Sequence, residues 1–312
     1  MRSDGWASRL PADITEKLRV PLIAAPMLRV SGPRLVSAVC RAGAIGAFPT
    51  ANARTAETLD AWLTEIEGSH DGPPHCPNLI IRQPRLREHL EVLVAHRVRM
   101  VITSVGSPAP VIDELHEIGT LVFADVATVA HAQKAVAVGA DGLVLLSAGA
   151  GGQTGWMNPF AFVRAVREFF DGPLVLAGGV SDGTALRAAL VLGCDLGYMG
   201  TRFIATTESM ASDAYRDLLV ASSMDDVLLT RAFTGLPTNM LRPAIVAAGL
   251  DPDALDEQIS PADAEAMFGA ANQPLVARWA DVFSAGHTVS AVARVTDAAS
   301  LVDEVAKEFA GE

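Results

Sequence analysis

The chain has 312 residues, half of them hydrophobic and 19% charged, with a formal net charge of −12. That length suits one large α/β barrel with an added subdomain, or two domains, and the acidic balance argues against nucleic-acid or anionic-membrane partners, which call for a basic face. Mean hydropathy is +0.30, yet no apolar run approaches the ~18 residues of a spanning helix, and residues 1–20 carry no apolar signal core, so a cytoplasmic protein is expected.

Apolar runs and helical patterns alternate from the start. Residues 21–27 (PLIAAPM) read as a first strand entering a loop at Pro26, and Gly32-Pro33 punctuates before a helix over 34–42 that ends at Gly43. A second strand spans 44–48 and stops at Pro49. The next helix, 55–67, places Leu59, Trp62, Leu63 and Ile66 on one face. A Pro- and Gly-rich loop over 68–77 leads to a third strand at 78–81, opened by Asn78, and then a helix at 86–95. Strand four (100–104) runs into Gly106-Ser107-Pro108, ahead of a helix at 110–118. Strand five (121–124), a helix (128–138) and strand six (143–146) follow, and strand six feeds the glycine-rich loop 147–155. A helix at 159–170 precedes the last two strands.

Residues 173–204 organise the rest. The run 174–177 ends in Gly178-Gly179, a short polar turn and a helix follow, and a second apolar segment ends in Tyr198-Met199-Gly200-Thr201. Glycines at strand ends let backbone N–H groups approach a ligand closely. Two such turns on neighbouring parallel strands can hold one phosphate together, and in a (β/α)8 barrel that place is the loops after strands seven and eight. The stretch therefore predicts the phosphate grip of a mononucleotide. Glycines that merely end strands are the competing reading. Eight strand–helix repeats before residue 205 predict a closed TIM (β/α)8 barrel. An open doubly wound sheet is the alternative, but no G-x-G-x-x-G follows the first strand.

After Thr206 the rhythm changes. A helix over 209–221, an extended piece at 227–233, a turn at 235–238 and a Pro-divided helical stretch over 239–279 are expected, then a short extended piece at 288–295 and a last helix at 298–309. This predicts a barrel over 1–205, completed by 285–312, with a small, mainly helical lid domain inserted over 206–284. The three cysteines are isolated and the seven histidines form no ligand pair, so no metal is expected.

Barrel chemistry sits at the carboxyl ends of the strands. There the chain places Pro26 and Met27, Asn78, and the loop Ala150-Gly151-Gly152-Gln153-Thr154-Gly155, whose backbone can fold against a flat ring and present one polar side chain. Asp125, at the end of strand five, either reaches the site or bonds loop backbone. Arg202 faces either the anion or an acidic side chain.

These pieces resemble, in order and over nearly the whole chain, the nitronate monooxygenase (2-nitropropane dioxygenase) family of FMN-dependent barrels, itself similar to FMN-dependent enoyl-thioester reductases. The resemblance rests on Ala25-Pro26-Met27, Asn78-Leu79, Ala150-Gly151-Gly152, Leu176 to Gly183, and Met199-Gly200-Thr201-Arg202-Phe203 followed by Glu208-Ser209. Thr230 to Gly235 and Ser284-Ala285-Gly286 continue it. It implies FMN held without a covalent bond, its phosphate on Gly178, Gly179, Gly200 and Thr201, with Met199 beside them. Pro26, Met27 and Asn78 would surround the isoalloxazine, and Gly151 and Gly152 would lie close to the ring.

Two departures stand out. The family pattern Ala-Gly-Gly-His-x-Gly supplies a histidine base, and this chain has Gln153 there; an amide takes no proton near neutral pH. Strand six also ends in Leu146 where relatives often carry glutamine. In place of the family's Ala-Gly-Gln the chain reads Ala285-Gly286-His287, in a segment that the resemblance brings back towards the flavin. The expectation is that histidine and glutamine have traded places, with His287 meeting substrate across from Gln153; a loop histidine without a role is the competing reading.

Three functions compete. One is an FMN oxidoreductase passing electrons from a small organic substrate to oxygen. The next is an NAD(P)H-dependent FMN reductase or dehydrogenase acting on a CoA or acyl-carrier thioester or a quinone, favoured by the lost histidine and a large apolar lid. The last is a flavin-binding protein without turnover. A homodimer is left open.

Overall fold

The computed structural model of the protein describes residues 8–268 and 276–312. Eight parallel strands close a barrel: β1 (Leu22–Ala24), β2 (Ile45–Pro49), β3 (Cys76–Ile80), β4 (Met100–Ser104), β5 (Leu121–Val126), β6 (Gly142–Leu146), and then, after the two-residue strand β7 (Gly152–Gln153), β8 (Leu174–Ala177) and β9 (Leu196–Met199). Closure is made by β9 against β1, with Leu22 opposite Gly197 and Ala24 opposite Met199. The expected (β/α)8 barrel is therefore present.

The strand period of two decides what fills it. Ile23, Ile45, Cys76, Ile102, Phe123, Val144, Val175 and Leu196 are fully buried in one interior cluster. The alternate residues point outward and meet the apolar faces of the surrounding helices, where Leu35, Val39, Phe162, Val166 and Leu186 pack. Four of the barrel helices start on a side-chain cap: Thr55 accepts from the Thr58 N–H, Thr128 from His131, Asn158 from Phe160 and Asp182 from Ala185. The last helix, Ala298–Ala310, packs against Pro33–Ala42 and Gly183–Leu192, so the tail returns to the barrel wall.

The region after β9 departs from expectation. The helix expected from 209 begins at Asp213, capped by Ser212. Of the extended piece at 227–233 only Val227–Thr230 (β10) is strand. The expected helical stretch 239–279 is replaced in its first part by a strand, β11 (Thr238–Leu241), antiparallel to β10 on one side and to β7 on the other. Helices follow only at Arg242–Ala247 and Pro261–Phe268, and residues 269–275 of that stretch lie outside the described residues. Nothing local announces β11. Its four residues are all buried, and its partners are β10, a short loop upstream, and β7, far back in the chain. The short extended piece expected at 288–295 is instead a 3-10 helix, His287–Ala291. Asn78, expected to open strand three, is its third residue.

Candidate active site

Four stretches meet at the carboxyl end of the barrel. The first leaves β1. The Ala25 N–H donates to the Met199 carbonyl at 2.9 Å, which ties this loop to the end of β9. Ser31 Oγ donates to the Ala25 carbonyl (3.2 Å) and accepts from the Met27 N–H (3.1 Å). Asn52 closes the loop from the β2 side: its Nδ2 donates to the carbonyls of Met27 (3.0 Å) and Ser31 (2.8 Å), and its Oδ1 accepts from the Arg29 N–H (2.8 Å). Pro26 and Met27 are thereby held half-buried beside the mouth.

Asn78 is buried inside the barrel wall and accepts a 3.0 Å hydrogen bond at Oδ1 from Ser104 Oγ on β4. On the next strand, Asp125 follows Leu121 and Phe123 at the same inward spacing. Its Oδ1 is buried and has no hydrogen-bond partner among the described residues, and burial pushes the carboxyl up to about 7. Tyr198, from β9, shares this space. Its phenol is pushed upward first by burial and then by the Asp125 charge.

The loop after β6 is knitted on both sides. Ser147 donates to the Ala177 carbonyl through its N–H (2.9 Å) and its Oγ (2.7 Å), and Thr154 Oγ1 donates back to the Ser147 carbonyl (2.8 Å). Gly152 and Gln153 pair with Asn239 and Thr238 of β11, while Asn239 Nδ2 donates to the Ala150 carbonyl at 2.7 Å. Gly151 is a position of close approach, since a Cβ there would lie 2.8 Å from the Gly286 nitrogen.

The third and fourth stretches are the two glycine turns. Gly178 (φ 109°) and Gly179 (φ 81°) both adopt the left-handed backbone that favours glycine. A Cβ on Gly178 would lie 2.6 Å from Ser147 Oγ, whereas one on Gly179 would meet nothing within 4 Å. Among the described residues none accepts from the main-chain N–H groups of Gly179, Val180 or Gly200. Gly200 precedes the short helix Thr201–Ile204, and Asp182 caps the helix Gly183–Leu192. Arg202 is engaged elsewhere, donating to the Ser181 carbonyl (3.0 Å) and to Glu304 (3.1 Å).

Gln153 and His287 are placed on opposite edges of one loop. Gln153 is exposed on β7. The His287 N–H donates to the Gly149 carbonyl (2.9 Å), and its ring packs so closely that a Cβ on Gly149 would lie 2.8 Å from Nδ1. No hydrogen bond joins the two side chains among the described residues. The segment carrying His287 is anchored by the Gly286 N–H on Thr201 Oγ1 (2.9 Å) and by Tyr215, whose hydroxyl donates to the Ser284 carbonyl (2.5 Å). Asn52, Ser147 and Asn239 escaped the sequence reading because their roles are hydrogen bonds between distant segments, and Ser31 because its bonds to Ala25 and Met27 form only within the folded loop. Among the described residues no group of three His, Cys, Asp or Glu could hold a metal, and no helix is long and apolar enough to cross a membrane.

The cradle fits a flavin nucleotide: two left-handed glycines, unused N–H groups on adjacent strands, open space over Gly179, and the polar side chains of Asn78 and Asp125 on the barrel strands. A family model described as nitronate monooxygenase matches residues 83–308. The (3aS,4S,5R,7aS)-5-hydroxy-7a-methyl-1-oxo-octahydro-1H-indene-4-carboxyl-CoA dehydrogenase of Mycobacterium tuberculosis is 30% identical over 243 residues, covering 76% of this chain and 68% of that protein. The nitronate monooxygenase of Pseudomonas aeruginosa is 29% identical across 94% of this chain and 97% of its own. Among solved structures, FabK from Thermotoga maritima superposes with a TM-score of 0.84 at 26% identity, covering 98% of this chain and 96% of that one. With these matches, the chain belongs to the nitronate monooxygenase family of flavin-dependent oxidoreductases.

Proposed function

We propose that the protein binds FMN at the carboxyl end of the barrel and oxidises a small organic substrate with oxygen as acceptor. The observation that carries this is the pair of glycine turns, Gly178-Gly179 and Gly200-Thr201, on adjacent strands with N–H groups left for an anion. In this reading the phosphate lies on Gly178, Gly179, Gly200 and Thr201, with Met199 behind. Pro26, Met27 and Asn78 border the ring, and Gly151 and Gly152 let the loop after β6 come close to it. The bound flavin would supply two-electron redox chemistry. The chain's own residues position the donor carbon, with Gln153 orienting it and His287 held by the Gly149 carbonyl at the same loop.

A second reading, reduction or dehydrogenation of an acyl thioester with NAD(P)H as partner, is favoured by the likeness to the carboxyl-CoA dehydrogenase and by Gln153 at the family's histidine position. Anaerobic titration of the FMN-loaded protein separates them. Bleaching by alkyl nitronate alone supports the first; bleaching by NADH or NADPH supports the second; no bleaching by any donor removes both.

A further inference from the structure

We infer that Asp125 is the group that exchanges a proton with the reacting carbon of the substrate, the duty that Gln153 cannot perform. This rests on the proposed oxidoreductase reading for its substrate, but on the fold for its geometry. Asp125 stands on β5 two residues beyond Phe123, which belongs to the barrel's interior cluster, so its side chain enters the barrel near the strand's carboxyl end. A buried carboxyl in a structural role accepts hydrogen bonds from nearby donors. Asp125 Oδ1 accepts none among the described residues. On the neighbouring strand, Ser104 at the end of β4 donates its hydroxyl to Asn78. On the other side, β6 sets Val144 opposite Asp125.

The carboxyl's own shift comes from burial alone, and the groups that feel its charge are Tyr198 and Cys76, both neutral acids whose own ionisation burial opposes. No cation is among them. The carboxyl therefore holds its proton more tightly than an exposed one, and burial places it near neutrality. A group poised there serves as base in one direction and acid in the other. Against a nitroalkane, the carboxylate takes the α-proton: the C–H bond breaks, an O–H bond forms on Asp125, and the electron pair moves into the nitro group to give the nitronate anion. Against a saturated acyl thioester, the same transfer leaves the pair on the thioester enolate, and the reverse returns the proton to that carbon.

The test is hydrogen–deuterium exchange at the α-carbon of nitroethane and of butanoyl-CoA, followed by NMR in heavy water with the FMN-loaded protein. Flavin bleaching by the same two compounds is recorded in parallel. Wild type should accelerate exchange of at least one of them, with a pH profile that inflects near neutrality. D125N should lose about 100-fold or more of that acceleration, and the inflection with it, while retaining FMN. Exchange undiminished in D125N, or absent in wild type with both compounds, overturns the inference. Should D125N fail to fold or to hold FMN, the titration of the Asp125 carboxyl in labelled wild-type protein decides: a midpoint near neutrality sustains the inference, and one in the ordinary carboxylate range overturns it. Exchange without bleaching by these two compounds leaves the proton role standing, and the titration with alkyl nitronate, NADH and NADPH then decides the redox function.

Discussion

The Gly286 N–H donates to Thr201 Oγ1 at 2.9 Å, joining the C-terminal segment to the loop after the last barrel strand. Gly286 also lies against Gly151, and the next residue, His287, donates its N–H to the Gly149 carbonyl. One buried threonine thus helps position the loop after β6 and the histidine beside it. Thr201→Val keeps the shape and removes the acceptor. It should lower unfolding free energy by about 1–3 kcal/mol, the cost of an unsatisfied buried donor, whereas Thr201→Ser should stay near wild type. Denaturant melts of the three proteins check this.

Gly179 separates binding from folding. Its left-handed backbone makes an alanine cost about 1–2 kcal/mol, but the new Cβ would meet no neighbour within 4 Å. Gly179→Ala should fold with that modest loss and bind FMN at least about tenfold more weakly, a change of ~1.4 kcal/mol or more. Gly178→Ala should lose more stability, because its Cβ would lie 2.6 Å from Ser147 Oγ and 3.0 Å from the Ala148 carbonyl. Calorimetry and thermal melts, run side by side, distinguish the two.

Asp125 should make the protein less stable as pH rises. Its folded carboxyl is raised from 3.8 to about 7, so the folded state binds the proton that the unfolded state has released. Stability is fully present below about pH 4 and is lost progressively up to about pH 7, by an amount on the order of 4 kcal/mol. Asp125→Asn should remove this slope and be the more stable protein at pH 8. Urea melts across that pH range give the comparison.

His75 produces the opposite slope. Burial lowers it to about 4, reinforced by the charges of His70 and His96. Glu67 lies 3.8 Å from its Nε2 but is already bonded to His96 at 3.0 Å, so burial governs. Because the folded value lies below the ordinary 6.5, the unfolded chain takes up the proton first. Stability present above about pH 6.5 is lost as pH falls towards 4, on the order of 3 kcal/mol in all. His75→Gln should flatten the acid limb of the same melts.

The barrel was legible because its strands are short apolar runs stopped by glycine or proline, a local signal that survives without partners. The two glycine turns were legible for the same reason, and their pairing on neighbouring strands, not Gly178-Gly179 alone, set them apart from glycines that merely end strands. β11 was not legible: Thr238–Leu241 becomes strand only by pairing with β10 and with Gly152–Gln153. Asn52 and Asn239, which bond backbone of the site loops from 25 and 89 residues away, leave no spacing to read. Asp125 was visible as a polar residue ending a strand, but its missing partner appears only once the barrel closes.

The central claim is that the two glycine turns hold the phosphate of FMN, and titration of the flavin-free protein with FMN and with riboflavin tests it most directly. FMN should bind tightly with a perturbed flavin spectrum, riboflavin should bind at least about a hundredfold more weakly, a difference of ~2.7 kcal/mol, and Gly179→Ala should erase most of that gap. Equal affinity for the two flavins, or a gap untouched by Gly179→Ala, would contradict the account.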